Sequence, residues 1–213
     1  MRGAMMTKTA IFDAFGTVVR IGRRTHPYRQ LLREGIKQGR RPYPGDGHLI
    51  MTLNLDMQGV AEHLGIYPSQ SRMEEIETAL QAELDSIEAY PDAIEAVAML
   101  RERGVALGIC SNLAKPYGAA VKRLFPSMDA YAFSSEVGAA KPDPRIYKAI
   151  LEMIDARPGQ SAVATDSRVW MVGDSARCDR DGARAVGIKG HYLDRSGASS
   201  IQDLVQFADL ISE

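Results

Sequence analysis

Cysteine, tryptophan, net charge and long apolar runs are all scarce in this chain, and each scarcity excludes something. The two cysteines, Cys110 and Cys178, stand at no metal-ligand spacing, so neither a disulfide framework nor a zinc site is expected. A formal net charge of −1 offers no bulk attraction for nucleic acid. No apolar run approaches the roughly 20 residues that span a bilayer, so no membrane partner is expected. Residues 1–6 carry one positive charge with no apolar core behind it, which predicts no secretory signal and a reducing, cytoplasmic setting. Internal repeats and low-complexity segments are also missing. What is present is ordinary for a globular protein: 45% hydrophobic and 25% charged residues. At 213 residues the chain can bury one sizeable core with a smaller appended module.

The most informative stretch lies near the start. Ala10-Ile-Phe12 meets Asp13 and is followed by Gly16-Thr17, the pattern of a buried parallel strand that delivers a carboxylate to its C-terminal edge. Gly16 permits a tight turn, and the Thr17 hydroxyl can satisfy a loop amide. From about Val19 to Tyr90 the pattern becomes helical and charge-rich. Tyr28, Leu31, Leu32 and Ile36 recur at helical spacing, and residues 40–47 form a break rich in Pro and Gly. Further helices are expected over 49–64 and 71–87. A βα rhythm then resumes, with strands near 105–110, 130–134, 169–172 and 188–193, and helices near 93–103, 116–124, 144–154, 179–186 and 201–211. The polar loop 155–167 suggests no role. Strands alternating with helices imply an α/β fold, a Rossmann-like three-layer parallel sheet core. Its expected extent is residues 1–19 and 91–213, with an α-helical insertion over 20–90 after the first strand.

The expected strand tips carry Asp13, Ser111-Asn112, Lys141 and Asp174, with Asp179 shortly after. Parallel strands would bring these groups to one edge. Carboxylates gathered beside one lysine repel each other unless a cation lies between them. A hard divalent ion with oxygen ligands suits such a set, and Mg2+ is the usual choice where a phosphate completes the shell.

Four pieces, Phe12-Asp-Ala-Phe-Gly-Thr17, Cys110-Ser-Asn112, Lys141-Pro-Asp-Pro144 and Gly173-Asp-Ser-Ala-Arg-Cys-Asp179, resemble in order and spacing the haloacid dehalogenase superfamily of hydrolases. The resemblance implies that 20–90 is a cap domain and that Asp13 is a nucleophile forming a covalent aspartyl intermediate. It implies that Ser111 bonds the transferring group, helped by Asn112, and that Lys141 neutralises developing charge. Asp13, the backbone carbonyl of Phe15, and Asp174 would hold Mg2+, with Asp179 orienting its waters or Lys141.

One position departs from the phosphatases of that superfamily, which carry a second Asp two residues after the nucleophile. Here Phe15 stands there and cannot protonate a leaving oxygen, a contribution typically of about 10²–10⁴-fold. L-2-haloacid dehalogenases resemble the chain at this point, with an aromatic residue after the same Asp-Ala pair, but they use no metal and lack the Gly-Asp-Ser arrangement retained here. Phosphonoacetaldehyde hydrolases combine Mg2+ with a nonacidic residue, but need a cap lysine, and Lys37 is the only lysine in 20–90. The expected function is therefore hydrolysis of a small phosphorylated metabolite with a good leaving group. The alternatives are a 2-haloacid dehalogenase and a non-catalytic phosphate- and metal-binding protein.

The insertion opens with Arg20, Arg23, Arg24, Arg29, Arg33, Arg40 and Arg41. They read either as a solvated face balanced by the acidic run 74–88 or as a grip on an anionic substrate, with Arg29 beside Tyr28 reaching into the cleft. The partner expected is thus a small anionic molecule, and a homodimer is compatible with the sequence.

Overall fold

A computed structural model describes residues 8–155, 168–197 and 200–212. Nearly all of loop 155–167 lies outside them. Five parallel strands form the central sheet: β1 (Thr9–Phe12), β4 (Ala106–Ser111), β5 (Ala130–Phe133), β6 (Val169–Gly173) and β7 (Lys189–Tyr192), in the order β5-β4-β1-β6-β7. β1 lies at the centre, with Ile11 opposite both Gly108 and Met171. All four of its residues are buried, which is why the strand reads as a continuous apolar run.

Alternate side chains of the sheet feed two apolar layers. Phe12, Leu107 and Val172 face α5 (Pro91–Glu102), α6 (Lys115–Leu124) and α10 (Leu204–Ser212), through Leu100, Val121 and Phe207. Ile11, Cys110 and Met171 face α8 (Pro144–Asp155) and the short α9 (Ala183–Ala185), through Ile146, Tyr147, Ile150 and Ala183. The three-layer α/β architecture matches the expectation from the strand-helix rhythm.

Between β1 and α5 the chain forms α1 (Pro27–Lys37), α2 (Asp46–Thr52), α3 (Met57–His63) and α4 (Gln70–Asp85). These helices and the α3–α4 connection bury a set of their own, including Leu31, Ile50, Val60, Ile66 and Ile76. The turn-rich 40–47 segment is pinned by Arg40, which donates to both oxygens of the buried Asp46 at 2.7 and 2.6 Å and to the Leu64 carbonyl at 3.1 Å.

Three local expectations need correcting. The single helix expected over 49–64 is two, because Leu53 turns extended and Asp56 caps α3 by accepting from the Gly59 amide at 2.8 Å. The insertion is not purely helical: β2 (Val19–Ile21) and β3 (Ile87–Ala89) pair antiparallel at its two ends, and three-residue strands are too short to show alternation. The helix expected from 179 starts earlier, as a π-helical turn over Ala176–Gly182 whose Ser175 hydroxyl accepts from the Cys178 amide at 3.2 Å. α7 (Ser134–Val137) follows β5 directly and ends at Gly138.

Candidate active site

Because every strand of the sheet is parallel, the carboxyl ends of β1, β4 and β6 open on one edge, where open α/β sheets bind ligands. Asp13 follows β1, Ser111 closes β4, Asp174 follows β6, and Lys141 comes in from the segment between α7 and α8. Together with Phe15, Asn112, Ser175, Cys178 and Asp179 they line a cavity of about 240 Å³.

Lys141 organises the site. Its ammonium donates to Asp13 Oδ1 at 2.7 Å, to Asp179 Oδ1 at 2.6 Å and to the Cys110 carbonyl at 2.8 Å. Burial alone would lower its pKa; the Asp13 and Asp179 charges outweigh that and hold it well above the usual lysine value, so it stays an ammonium. Asn112 fixes the Lys141 backbone from both sides, donating to its carbonyl at 2.9 Å and accepting from its amide at 2.7 Å. Asn112 thus positions Lys141 while also lining the cavity.

The Asp179 carboxylate is wholly buried and also accepts from the Ser175 amide at 2.9 Å. Burial pushes its pKa up against the pull of Lys141. Asp174 has its amide fixed by the Thr17 hydroxyl at 3.2 Å, as the sequence suggests. Although the residue is exposed to solvent, its carboxyl is lifted from 3.8 to about 6, chiefly by desolvation among the surrounding groups and then by the Asp13 and Asp179 charges.

Two glycines make this closeness achievable. A Cβ on Gly16, which has φ +81°, would stand 2.0 Å from Asp174 Oδ2; one on Gly173 would stand 2.2 Å from Asp179 Oδ2. The backbone can run beside the carboxylates only where no side chain intervenes.

Carboxylate oxygens of Asp13, Asp174 and Asp179 lie within 4.8 Å of one another. Three carboxylates face one ammonium, and the Asp13 and Asp179 charges add to the desolvation that raises the Asp174 pKa. Oxygen donors at this separation fit a hard divalent cation such as Mg2+. Asp13 and Asp174 have oxygens not engaged by Lys141, whereas both oxygens of Asp179 already accept bonds.

Beside this polar cavity is a larger apolar one of about 450 Å³, walled by Phe15, Ile21, Leu32, Ile50, Met51 and Tyr117 among others. Phe15 and Asn112 line both. Phe15 sets its edge against Tyr117, with ring centroids 5.7 Å apart. Arg29 lines the apolar cavity, away from the carboxylate cavity. Of its basic neighbours, Arg20 pairs with Glu88 on the surface and Arg40 with Asp46. Lys37 pairs with Glu34 with 71% of its side chain exposed, and it lines neither cavity.

The sequence gives no signal for Glu83 and Tyr117. Glu83 is buried in α4, accepting from the Thr25 and His26 amides at 2.6 and 2.8 Å and from the Tyr117 hydroxyl at 2.7 Å. That last bond ties the helical insertion to α6. Both residues sit in helical stretches without a motif, so only the tertiary fold pairs them.

The family profile described as haloacid dehalogenase-like hydrolase matches residues 7–187. A phosphatase of Mycobacterium tuberculosis is 32% identical over 114 residues, covering 52% of this chain and 48% of its own. A phosphoserine phosphatase of Thermus thermophilus is 31% identical over 140 residues, covering 63% and 51% respectively. The chain thus spans about half the length of the curated relatives it matches. Among solved structures, a phosphatase from Thermococcus onnurineus superposes with a TM-score of 0.64 at 21% identity, covering 96% of this chain and 98% of that one. A Bacteroides thetaiotaomicron enzyme in complex with magnesium and inorganic phosphate gives 0.60 at 17% identity, covering 91% and 97%. An L-2-haloacid dehalogenase from Xanthobacter autotrophicus with covalently bound chloropropionic acid gives 0.58 at 18%, covering 97% and 99%. At these identities the superpositions speak to fold.

Proposed function

The chain belongs to the haloacid dehalogenase-like hydrolases, and on that footing we propose that it is an Mg2+-dependent phosphohydrolase with Asp13 as nucleophile. The observation that carries the reading is the ion-pair cluster at the sheet edge. Lys141 holds Asp13 and Asp179, and Asp174 stands uncompensated beside them. An anionic substrate would meet net negative charge there unless a cation is bound, and a dehalogenase, working without metal, would be poorly served by it.

In this reading Asp13 and Asp174 hold the metal, with the Phe15 carbonyl as the third protein oxygen, while Asp179 and Asn112 position Lys141. Bound there, Mg2+ would neutralise the phosphoryl oxygens. Asp13 attacks phosphorus through one carboxylate oxygen while the other stays toward the metal, and the leaving oxygen departs with the bonding pair. Lys141 offsets charge on the transferring group, and Ser111, at the tip of β4, donates to a phosphoryl oxygen. Water then hydrolyses the aspartyl phosphate. Phe15 supplies no proton, so substrates whose leaving groups depart as stable anions are favoured. The helical block 20–90 serves as a cap that excludes water from the reacting centre.

Phe15 keeps C–halogen hydrolysis as a second reading, because halide leaves without a proton. The two separate in one assay of p-nitrophenyl phosphate and L-2-chloropropionate, each with Mg2+ and with EDTA. The proposal expects nitrophenol release that EDTA abolishes and that Asp13→Asn lacks. Chloride release that survives EDTA would establish the dehalogenase instead. Tight phosphate binding without turnover of either compound would favour the non-catalytic protein.

A further inference from the structure

We propose that the substrate is an aryl phosphate monoester, its ring seated in the apolar cavity beside the carboxylate cluster and carrying an anionic substituent toward Arg29. The inference rests on the phosphohydrolase reading and names its substrate class.

Three observations converge on it. The first is continuity. The polar cavity that holds Asp13 and Lys141 and the apolar one adjoin at Phe15 and Asn112, which line both. The second is chemistry. Phe15 cannot protonate the departing oxygen, and a phenol, with a pKa near that of tyrosine at about 10, leaves as an anion far more readily than an alkanol does.

The third is shape and lining. About 450 Å³ falls in the range of small-molecule sites, roughly 300–1,000 Å³, and is more than a small alcohol needs. Phe15, Tyr28 and Tyr117 surround the space, with Phe15 edge-on to Tyr117 and the Tyr28 and Tyr117 centroids 6.5 Å apart. Aromatic pairs at such separations accept a further ring edge-on or offset. The Tyr28 hydroxyl is buried without a hydrogen-bond partner among the described residues, so the cavity meets the ring of Tyr28 rather than its polar end. Glu83 also lines the space, but its oxygens are taken by Thr25, His26 and Tyr117. Arg29 is exposed, and its guanidinium has no hydrogen bond or ion pair among the described residues. A cation at the solvent side of an apolar slot favours a ring that carries a carboxylate.

The reaction balances as aryl phosphate plus water giving the phenol and inorganic phosphate. The P–O(aryl) bond breaks as Asp13 bonds to phosphorus, the phenolate keeps the electron pair and later takes a proton from water, and water cleaves the aspartyl phosphate.

The test compares kcat/KM for acetyl phosphate, phenyl phosphate, 4-carboxyphenyl phosphate and cyclohexylmethyl phosphate on the full chain with Mg2+. Acetyl phosphate has a good leaving group and no ring, so it reports the chemistry without the cavity. The expected result is phenyl phosphate above the alkyl ester by at least about 100-fold, the lower range for a missing general acid. The carboxylate should add up to about fivefold, the ceiling for an exposed ion pair, and Arg29→Met should erase that increment. Met51→Trp and, separately, the milder Leu32→Phe narrow the cavity. Each should lower phenyl phosphate turnover at least about tenfold more than acetyl phosphate turnover, a ratio that loss of folded protein cannot change. Acetyl phosphate hydrolysis with aryl and alkyl esters equal, or with both narrowing variants lowering aryl and acetyl turnover alike, would overturn this inference and leave the phosphohydrolase standing. No hydrolysis of acetyl phosphate would overturn both.

Discussion

Lys141 shows most clearly how one residue decides the character of the site. Its buried ammonium touches two carboxylates, and removing it leaves both uncompensated. Lys141→Met should therefore destabilise the metal-free protein by about 3–5 kcal/mol, read as a lower urea midpoint, and added Mg2+ should recover part of the loss. Asp174 gives a pH signature. Its carboxyl, raised from 3.8 to about 6, binds a proton more tightly in the folded than in the unfolded chain. In metal-free protein its contribution is thus full below about pH 4 and is lost as pH rises through about 6. Mg2+ requires the ionised form, so its thermal stabilisation should be larger at pH 7 than at pH 5. A shift independent of pH, or abolished by Asp174→Asn only at low pH, would remove Asp174 from the metal site. Gly16→Ala should also weaken Mg2+ binding, because the added Cβ occupies the place of the Asp174 carboxylate; calorimetric titration against the parent chain reads this directly.

Among the elements, α4 and α6 are joined by a buried polar link. Glu83 accepts from two backbone amides, the Thr25 hydroxyl and the Tyr117 hydroxyl. Glu83→Ala leaves the Thr25 and His26 amides without their acceptor, so a loss of about 1–3 kcal/mol in denaturant unfolding is expected. A neutral result would mean the segment 25–26 rearranges freely. Legibility followed the same physics. β1, β4 and β6 were readable because strands buried on both faces are continuous apolar runs. β2 and β3 were not, since three residues carry no periodicity. The break between α2 and α3 was signalled only by Asn54 and Asp56, short polar residues that compete with the helix by capping it.

At the scale of the whole molecule, a parallel sheet makes the site a consequence of topology. Asp13, Ser111, Lys141 and Asp174, spread over more than 160 positions, meet because every strand ends on the same edge. That is why the carboxylate cluster could be foreseen from strand tips. The apolar cavity could not, because its walls come from α1, α2, α4, α6, β2 and the segments after β1 and β4, and nothing in the local pattern of a helix says which neighbour its face will meet. Arg29 illustrates the difference: residue type singled it out, but only the fold assigns it to the apolar cavity rather than to the phosphate.

The central claim is that Asp13 carries the phosphoryl group, and trapping the intermediate tests it most directly. The chain would be quenched during Mg2+-dependent turnover of p-nitrophenyl phosphate, reduced with borohydride, and its Asp13 peptide sequenced by mass spectrometry. An aspartyl phosphate is reduced to homoserine, so the account predicts homoserine at position 13 and none in the EDTA control. Turnover with Asp13 left as aspartate, or homoserine appearing at Asp174 or Asp179, would contradict it.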